Sequence, residues 1–143
     1  MIFPDVNVLI HAYNSESSLH QKARVWWESR LAGPAGVALA WVVVLGFVRI
    51  MTNRRIMENP FPPKEILEIV QEWMHLPHFS VVHPGENHFT FLSKLLENLG
   101  TAGNLTTDAH LAALAIERGL ILHSTDADFS RFPELRWKNP LIP

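Results

Sequence analysis

Cysteine is absent from all 143 residues. That excludes a disulfide framework, thiol chemistry and any zinc site built on thiolates, and it fits a reducing cytoplasm. Long apolar runs are missing too. The longest block, residues 37–50, is interrupted by Gly46 and Arg49 and falls short of the roughly 20 residues that a membrane-spanning helix needs. The opening Met1-Ile2-Phe3-Pro4-Asp5 lacks the basic start and extended apolar stretch of a signal peptide. Excess charge is also lacking: a formal net charge of −2 argues against strong nonspecific binding to nucleic acid. It leaves room for an enzyme that holds nucleic acid partly through bound cations. Repeats and low-complexity segments do not occur. Aspartate is scarce, with four residues against ten glutamates.

What remains is an apolar fraction of 48% with 18% charged residues, the composition of a globular protein. The length suits a single domain spanning residues 1–143. The first apolar segment, residues 1–4, reads as a strand followed by a short apolar helix. A second helix is predicted over 19–31, with Ala23, Trp26, Trp27 and Leu31 on one stripe. Two adjacent tryptophans cannot both point fully inward, so one is expected at an edge or interface. Residues 37–40 suit a second strand. Residues 41–51 are rich in β-branched residues, yet a strand of that length is unusual, so a buried helix is expected. Gly46 within it costs about 1 kcal/mol relative to alanine, which close helix packing would justify. A helix over 64–76 carries Ile66, Leu67, Ile69, Val70, Trp73 and Met74 on its apolar face. A strand over 79–83 and a helix over 87–99 follow.

Thr106 or Thr107 is placed to cap the next helix, which Gly119 ends. Residues 120–122 form a short strand buried on both faces, and residues 135–137 a last one. Strands and helices alternate throughout. The expected fold is therefore α/β, a three-layer sandwich around a mostly parallel sheet.

Every aspartate sits at an element boundary. Asp5 ends the first strand, and Asp126 and Asp128 follow the strand at 120–122. Asp108 opens a helix, sharing one face with Leu111, Ala112 and Ala115. Helix capping alone accounts for such placement. In open α/β sheets, however, the carboxyl ends of strands are also where ligands bind. Crowded carboxylates repel unless hydrogen bonds, water or a cation screen them. Asn7 either caps the first helix or steadies the neighbouring Asp5. His11, alone on that helix, reads as an ordinary satisfied histidine.

Three segments together resemble a known family: Pro4-Asp5-Val6-Asn7-Val8-Leu9, Thr107-Asp108-Ala109-His110-Leu111-Ala112, and Ser124-Thr125-Asp126-Ala127-Asp128-Phe129. Their order and spacing resemble the PIN domain. With residues 41–53 and 132–140 they resemble VapC-type toxins of bacterial toxin–antitoxin pairs. The resemblance implies a Mg²⁺- or Mn²⁺-dependent endoribonuclease in which water activated by the cation attacks the scissile phosphodiester. It carries metal binding onto Asp5, Asp108 and Asp126, with Asp128 at a more variable acidic position. Asn7 and Thr125 are the polar neighbours expected to support the acids, and Arg49, Arg54 and Arg55 the groups that would steer RNA. It also implies a VapB-type antitoxin partner, a homodimer, and structured substrates such as transfer or ribosomal RNA. One position departs from the family pattern: Gly46 stands where a glutamate is usual, and no acid lies between Leu31 and Met57 to replace it. The alternative is a degenerate PIN-like binding module that acts through protein or RNA contacts without chemistry.

Overall fold

A computed structural model of the protein covers residues 1–143. In chain order its regular elements are β1 (Phe3–Pro4), α1 (Val6–Tyr13), α2 (His20–Ala32), β2 (Val37–Ala40), α3 (Trp41–Met51) and α4 (Pro63–Met74). These are followed by β3 (Phe79–Val82), α5 (His88–Leu99), α6 (Thr106–Arg118), β4 (Leu122–His123) and β5 (Trp137–Lys138). Single 3₁₀ turns occupy Gly103–Leu105 and Ala127–Arg131.

All strand pairs are parallel. β1 pairs with β4 in the register Phe3↔Leu122, and β4 pairs with β5. β2 pairs with β3 in the register Val37↔Phe79. The two groups join where Ile2 bridges Val37, its amide donating to the Gly36 carbonyl and its carbonyl accepting from the Ala38 amide. The resulting order is β3-β2-β1-β4-β5. Crossovers run outward from β1 to β2 to β3, then jump back to β4 on the other side of β1. Because such crossovers are right-handed, reversing direction moves the helices to the opposite face. Accordingly α1 packs on α2 and α3, α3 on α4, and α5 on α6. The reversal leaves a crevice at the carboxyl ends of β1 and β4, the topological switch point where α/β sheets bind ligands.

The sheet is buried because its residues are apolar on both faces: Phe3, Val37, Ala38, Leu39 and Leu122 are all in the core. Trp27 of α2 and Trp73 of α4 are fully buried, and both donate their indole N–H to the Tyr13 hydroxyl of α1, at 3.2 and 3.1 Å. Trp26 takes the edge position expected for one of the pair, lying against the His123 ring with centroids 5.7 Å apart.

Several local expectations are corrected. The fourth strand sits at Leu122–His123 rather than 120–122 because a histidine ring is buried inside the sheet, where hydropathy gives no sign of a strand. Burial pushes the His123 imidazole down to about 4, so the ring is neutral, and its Nδ1 accepts from the Phe3 amide at 3.4 Å. The last strand starts two residues later than expected and ends one later, at Trp137–Lys138. Neither threonine caps α6: Leu105 holds the N-cap position, and Thr106 donates its hydroxyl back to the Gly103 carbonyl at 2.8 Å. Leu67 is 55% exposed, off the buried Ile66–Val70–Trp73 line of α4.

Candidate active site

β1 is only two residues long, and α1 begins immediately after it, so Asp5 falls on the joint between them. Its backbone is extended, and it caps α1 by accepting the Val6 amide on Oδ1 at 2.7 Å. Its own amide donates to the His123 carbonyl of β4 at 2.9 Å, which fixes it at the sheet edge. The other carboxylate oxygen, Oδ2, accepts from the Ser124 hydroxyl at 3.0 Å. Asp5 is 8% exposed. Burial pushes its carboxyl above the usual carboxylate range, the bonds from Val6 and Ser124 pull it back, and the charge of Asp126 adds to the rise.

Ser124 was not singled out from the sequence, yet it is the hub of the site. Fully buried, it donates to Asp5 while its oxygen accepts from the Asp126 amide at 3.0 Å and from the Asn7 side-chain amide at 3.2 Å. Asn7 therefore does not cap α1. Its carbonyl oxygen accepts from the Thr125 amide at 3.3 Å, so it steadies the Asp5 carboxylate through the Ser124 loop rather than directly. Thr125 supports the site through its backbone N–H. The signal available in the sequence was a small hydroxyl residue directly after a buried strand and two residues before an aspartate. Replacing Ser124 by alanine leaves two donors and one carboxylate oxygen without their partner. The expected loss is about 1–3 kcal/mol of stability, read as a lower urea midpoint, together with weaker RNA cleavage.

Asp126 opens the 3₁₀ turn and accepts the Asp128 amide on Oδ1 at 2.9 Å. Asp108 arrives from the other direction. α6 leads through Gly119 into β4, so it runs back alongside the sheet and its amino end lies at the edge where β4 finishes. The charges of Asp5, Asp126 and Asp128 all reach it. Burial first, then those three charges, push the Asp108 carboxyl up to about 6. All four aspartates thus belong to one acidic cluster.

That cluster is looser than a finished ion-binding site, for no three of its side chains stand close enough to bind one ion directly. Uncompensated like charges keep carboxylates apart. The donor chemistry nonetheless fits Mg²⁺ or Mn²⁺: all-oxygen, anionic and partly buried, with Asp5 and Asp108 raised in pKa by burial first and by neighbouring carboxylates second, a repulsion that a dication relieves. Such ions keep several waters, so a protein need not surround them with direct ligands. Arg49, Arg54 and Arg55 are exposed and form no ion pair with the cluster. Gly46 lies buried in α3 against Val6, so α3 brings no acid to the site.

Residues 2–135 match the PIN domain family. The chain is a PIN domain. Ribonuclease VapC33 of Mycobacterium tuberculosis is 38% identical over 141 residues, covering 99% of both chains, which places this PIN domain among the VapC-type toxin ribonucleases. Solved PIN folds agree with the architecture. The VapBC-1 structure from nontypeable Haemophilus influenzae superposes with a TM-score of 0.69 at 14% identity, covering 99% of this chain and 100% of that one. Mycobacterium tuberculosis VapC20, described as a sarcin–ricin loop cleaving toxin, gives 0.65 at 19% identity over 95% and 99%.

Proposed function

We propose that this PIN domain is a divalent-metal-dependent endoribonuclease, the toxin of a VapBC-type pair. What supports the proposal most is the joint at the switch point, where Ser124 donates to Asp5 and accepts the Asp126 amide, with the Asp108 carboxyl pushed up to about 6 by burial first and then by the charges of Asp5, Asp126 and Asp128. Asp5, Asp108 and Asp126 would hold Mg²⁺ or Mn²⁺, with Asp128 at the rim. When bound, the ion supplies the Lewis acidity that activates water and offsets charge at the scissile phosphate. The protein's part is positional. Val6 and Ser124 fix both oxygens of Asp5, and Ser124 ties the Asp126 backbone to the same point. Burial keeps bulk water from Asp5. Arg49, Arg54 and Arg55 are free to draw the RNA backbone toward an edge that would otherwise repel it.

The toxin reading brings a VapB-type antitoxin that covers the acidic crevice and a homodimer. Support comes from neighbours solved as toxin–antitoxin complexes and from exposed apolar residues on α3, Trp41 at 47% and Leu45 at 63%. The sarcin–ricin loop named for VapC20 makes structured ribosomal RNA a first substrate to try, with transfer RNA beside it. The deciding experiment is incubation of RNA with purified protein in Mn²⁺ or in chelator. Cleavage only with Mn²⁺ supports the enzyme. RNA or antitoxin binding without cleavage in either condition supports the binding-module reading, which the loose spacing of the acids and Gly46 favour.

Metal binding has a defined pH dependence under this proposal. A proton on Asp108 competes with the ion, and that proton leaves near pH 6. Mn²⁺ affinity, followed by calorimetry, is expected to be flat above pH 7. It should fall by up to about tenfold per pH unit below 6, the slope for displacing one proton. A flat profile from 7.5 to 5 would remove Asp108 from the ion's ligands.

A further inference from the structure

We infer that Gly46 is a positioning residue for the Asp5 carboxylate, acting through the side chain of Val6. The inference rests on the metal-dependent reading only for its consequence in activity; the contact itself does not depend on it. A glycine in the middle of a helix costs about 1 kcal/mol relative to alanine, so a reason for it is needed. A methyl carbon built at Gly46 meets three nearest atoms, all from Val6: Cγ2 at 3.3 Å, Cβ at 3.7 Å and Cγ1 at 3.9 Å. The bare α-carbon of α3 is the seat on which the isopropyl group of Val6 rests.

Val6 is the first residue of α1, and its amide is the donor that holds Oδ1 of Asp5 at 2.7 Å. A β-branched side chain in a helix is nearly confined to one χ1 rotamer, so Val6 cannot swing away from an intruding methyl. Nor can α3 retreat: Val43, Val44, Phe47 and Met51 anchor it in the core. The displacement therefore falls on the first turn of α1. Oδ2 of Asp5 stays tied to Ser124, and Ser124 to the β4 end, so moving Val6 pulls the two oxygens of one carboxylate toward different anchors. On this account the family's usual acid is absent because α3 and α1 have closed over its position, and the fourth carboxylate comes from the loop after β4.

The test is Gly46→Ala, alone and with Val6→Ala, which deletes the methyls that the new one would strike. In metal-free protein, the amide proton of residue 6 reports its bond to Asp5 by NMR. Gly46→Ala is expected to move that resonance upfield, weaken Mn²⁺ binding about fivefold, and lower kcat/KM on RNA by about five- to tenfold, below the effect of a full ångström misplacement because the contact asks Val6 to give by less than that. The Val6→Ala/Gly46→Ala pair is expected to recover the native resonance and Mn²⁺ affinity to within about twofold. Three outcomes overturn the inference: a native residue-6 amide and Mn²⁺ affinity in Gly46→Ala, a lowered melting temperature with both unchanged, or a pair that recovers neither. If Gly46→Ala alone does not fold, a folded pair with the native amide carries the same content, and an unfolded or displaced pair overturns it. If the amide responds as expected but the unaltered protein neither binds Mn²⁺ nor cleaves RNA, the contact stands and the ribonuclease reading falls.

Discussion

Asp5→Asn is expected to lower RNA cleavage by about 10²–10³-fold, the scale on which one preorganised electrostatic group contributes, while the protein keeps its fold. The second half of this expectation follows from the site's hydrogen bonds. Asparagine is as good an N-cap as aspartate, so its carbonyl oxygen can still accept the Val6 amide. Its NH₂ can donate to the Ser124 oxygen in place of the half-buried Asn7 side-chain amide, which keeps that oxygen at two accepted bonds, and the Ser124 proton can turn to the Asn7 carbonyl oxygen, 3.3 Å away. The Asn7 amide bond is given up to solvent; otherwise the bonding pattern survives and the main loss is the negative charge. Circular dichroism and melting temperature should therefore match the unaltered protein in the absence of metal, with Mn²⁺ binding reduced or gone. Unchanged cleavage would remove Asp5 from the reaction.

Asp108→Asn is expected to move activity and stability in opposite directions. Its carboxyl lies at about 6 in the fold against an ordinary 3.8, so the folded state disfavours the charged form. Between those two values the folded protein holds more protons than the unfolded one, and stability rises as pH falls. At pH 7.5, where the charge is fully present, the neutral asparagine should give the metal-free protein a higher melting temperature. The advantage should shrink as pH drops through 6 toward 4, where the unaltered residue takes up its own proton. Saturating Mn²⁺ should stabilise the unaltered protein by mass action and leave the variant unmoved. Cleavage should fall by about 10²-fold or more. A variant that melts lower at pH 7.5 without metal would mean that Asp108 has a favourable partner in the fold, contrary to the electrostatics described above.

Period and boundary made much of this molecule legible in its sequence. β2 and α3 lie where the apolar run and the strand-length limit put them, and Gly46 is buried at a close helix contact as its expense suggested. Asp5 and Asp126 fall beside each other because an α/β alternation leaves few places for the first strand other than the sheet centre. What stayed hidden was polar and internal. His123 is buried inside the sheet and so blurred the limits of β4, and Ser124 looks like any turn residue until its three partners are seen around it. The route of Asp108 to the same edge follows from connectivity rather than from spacing: α6 leads straight into β4, so its amino end lies where β4 finishes. Thr106 and Thr107 fail as caps because the chain enters α6 through a 3₁₀ turn, which leaves both already inside the first turn.

One phenolic oxygen, that of Tyr13, receives the indole N–H groups of both Trp27 and Trp73. Three helices are thereby hinged on a single atom at the far end of the one that begins with Asp5. A substitution that resizes that aromatic knot bears directly on the packing of α1, the short helix whose other end Asp5 caps. Residues a full helix length from the crevice are thereby packed onto the same helix that Asp5 caps.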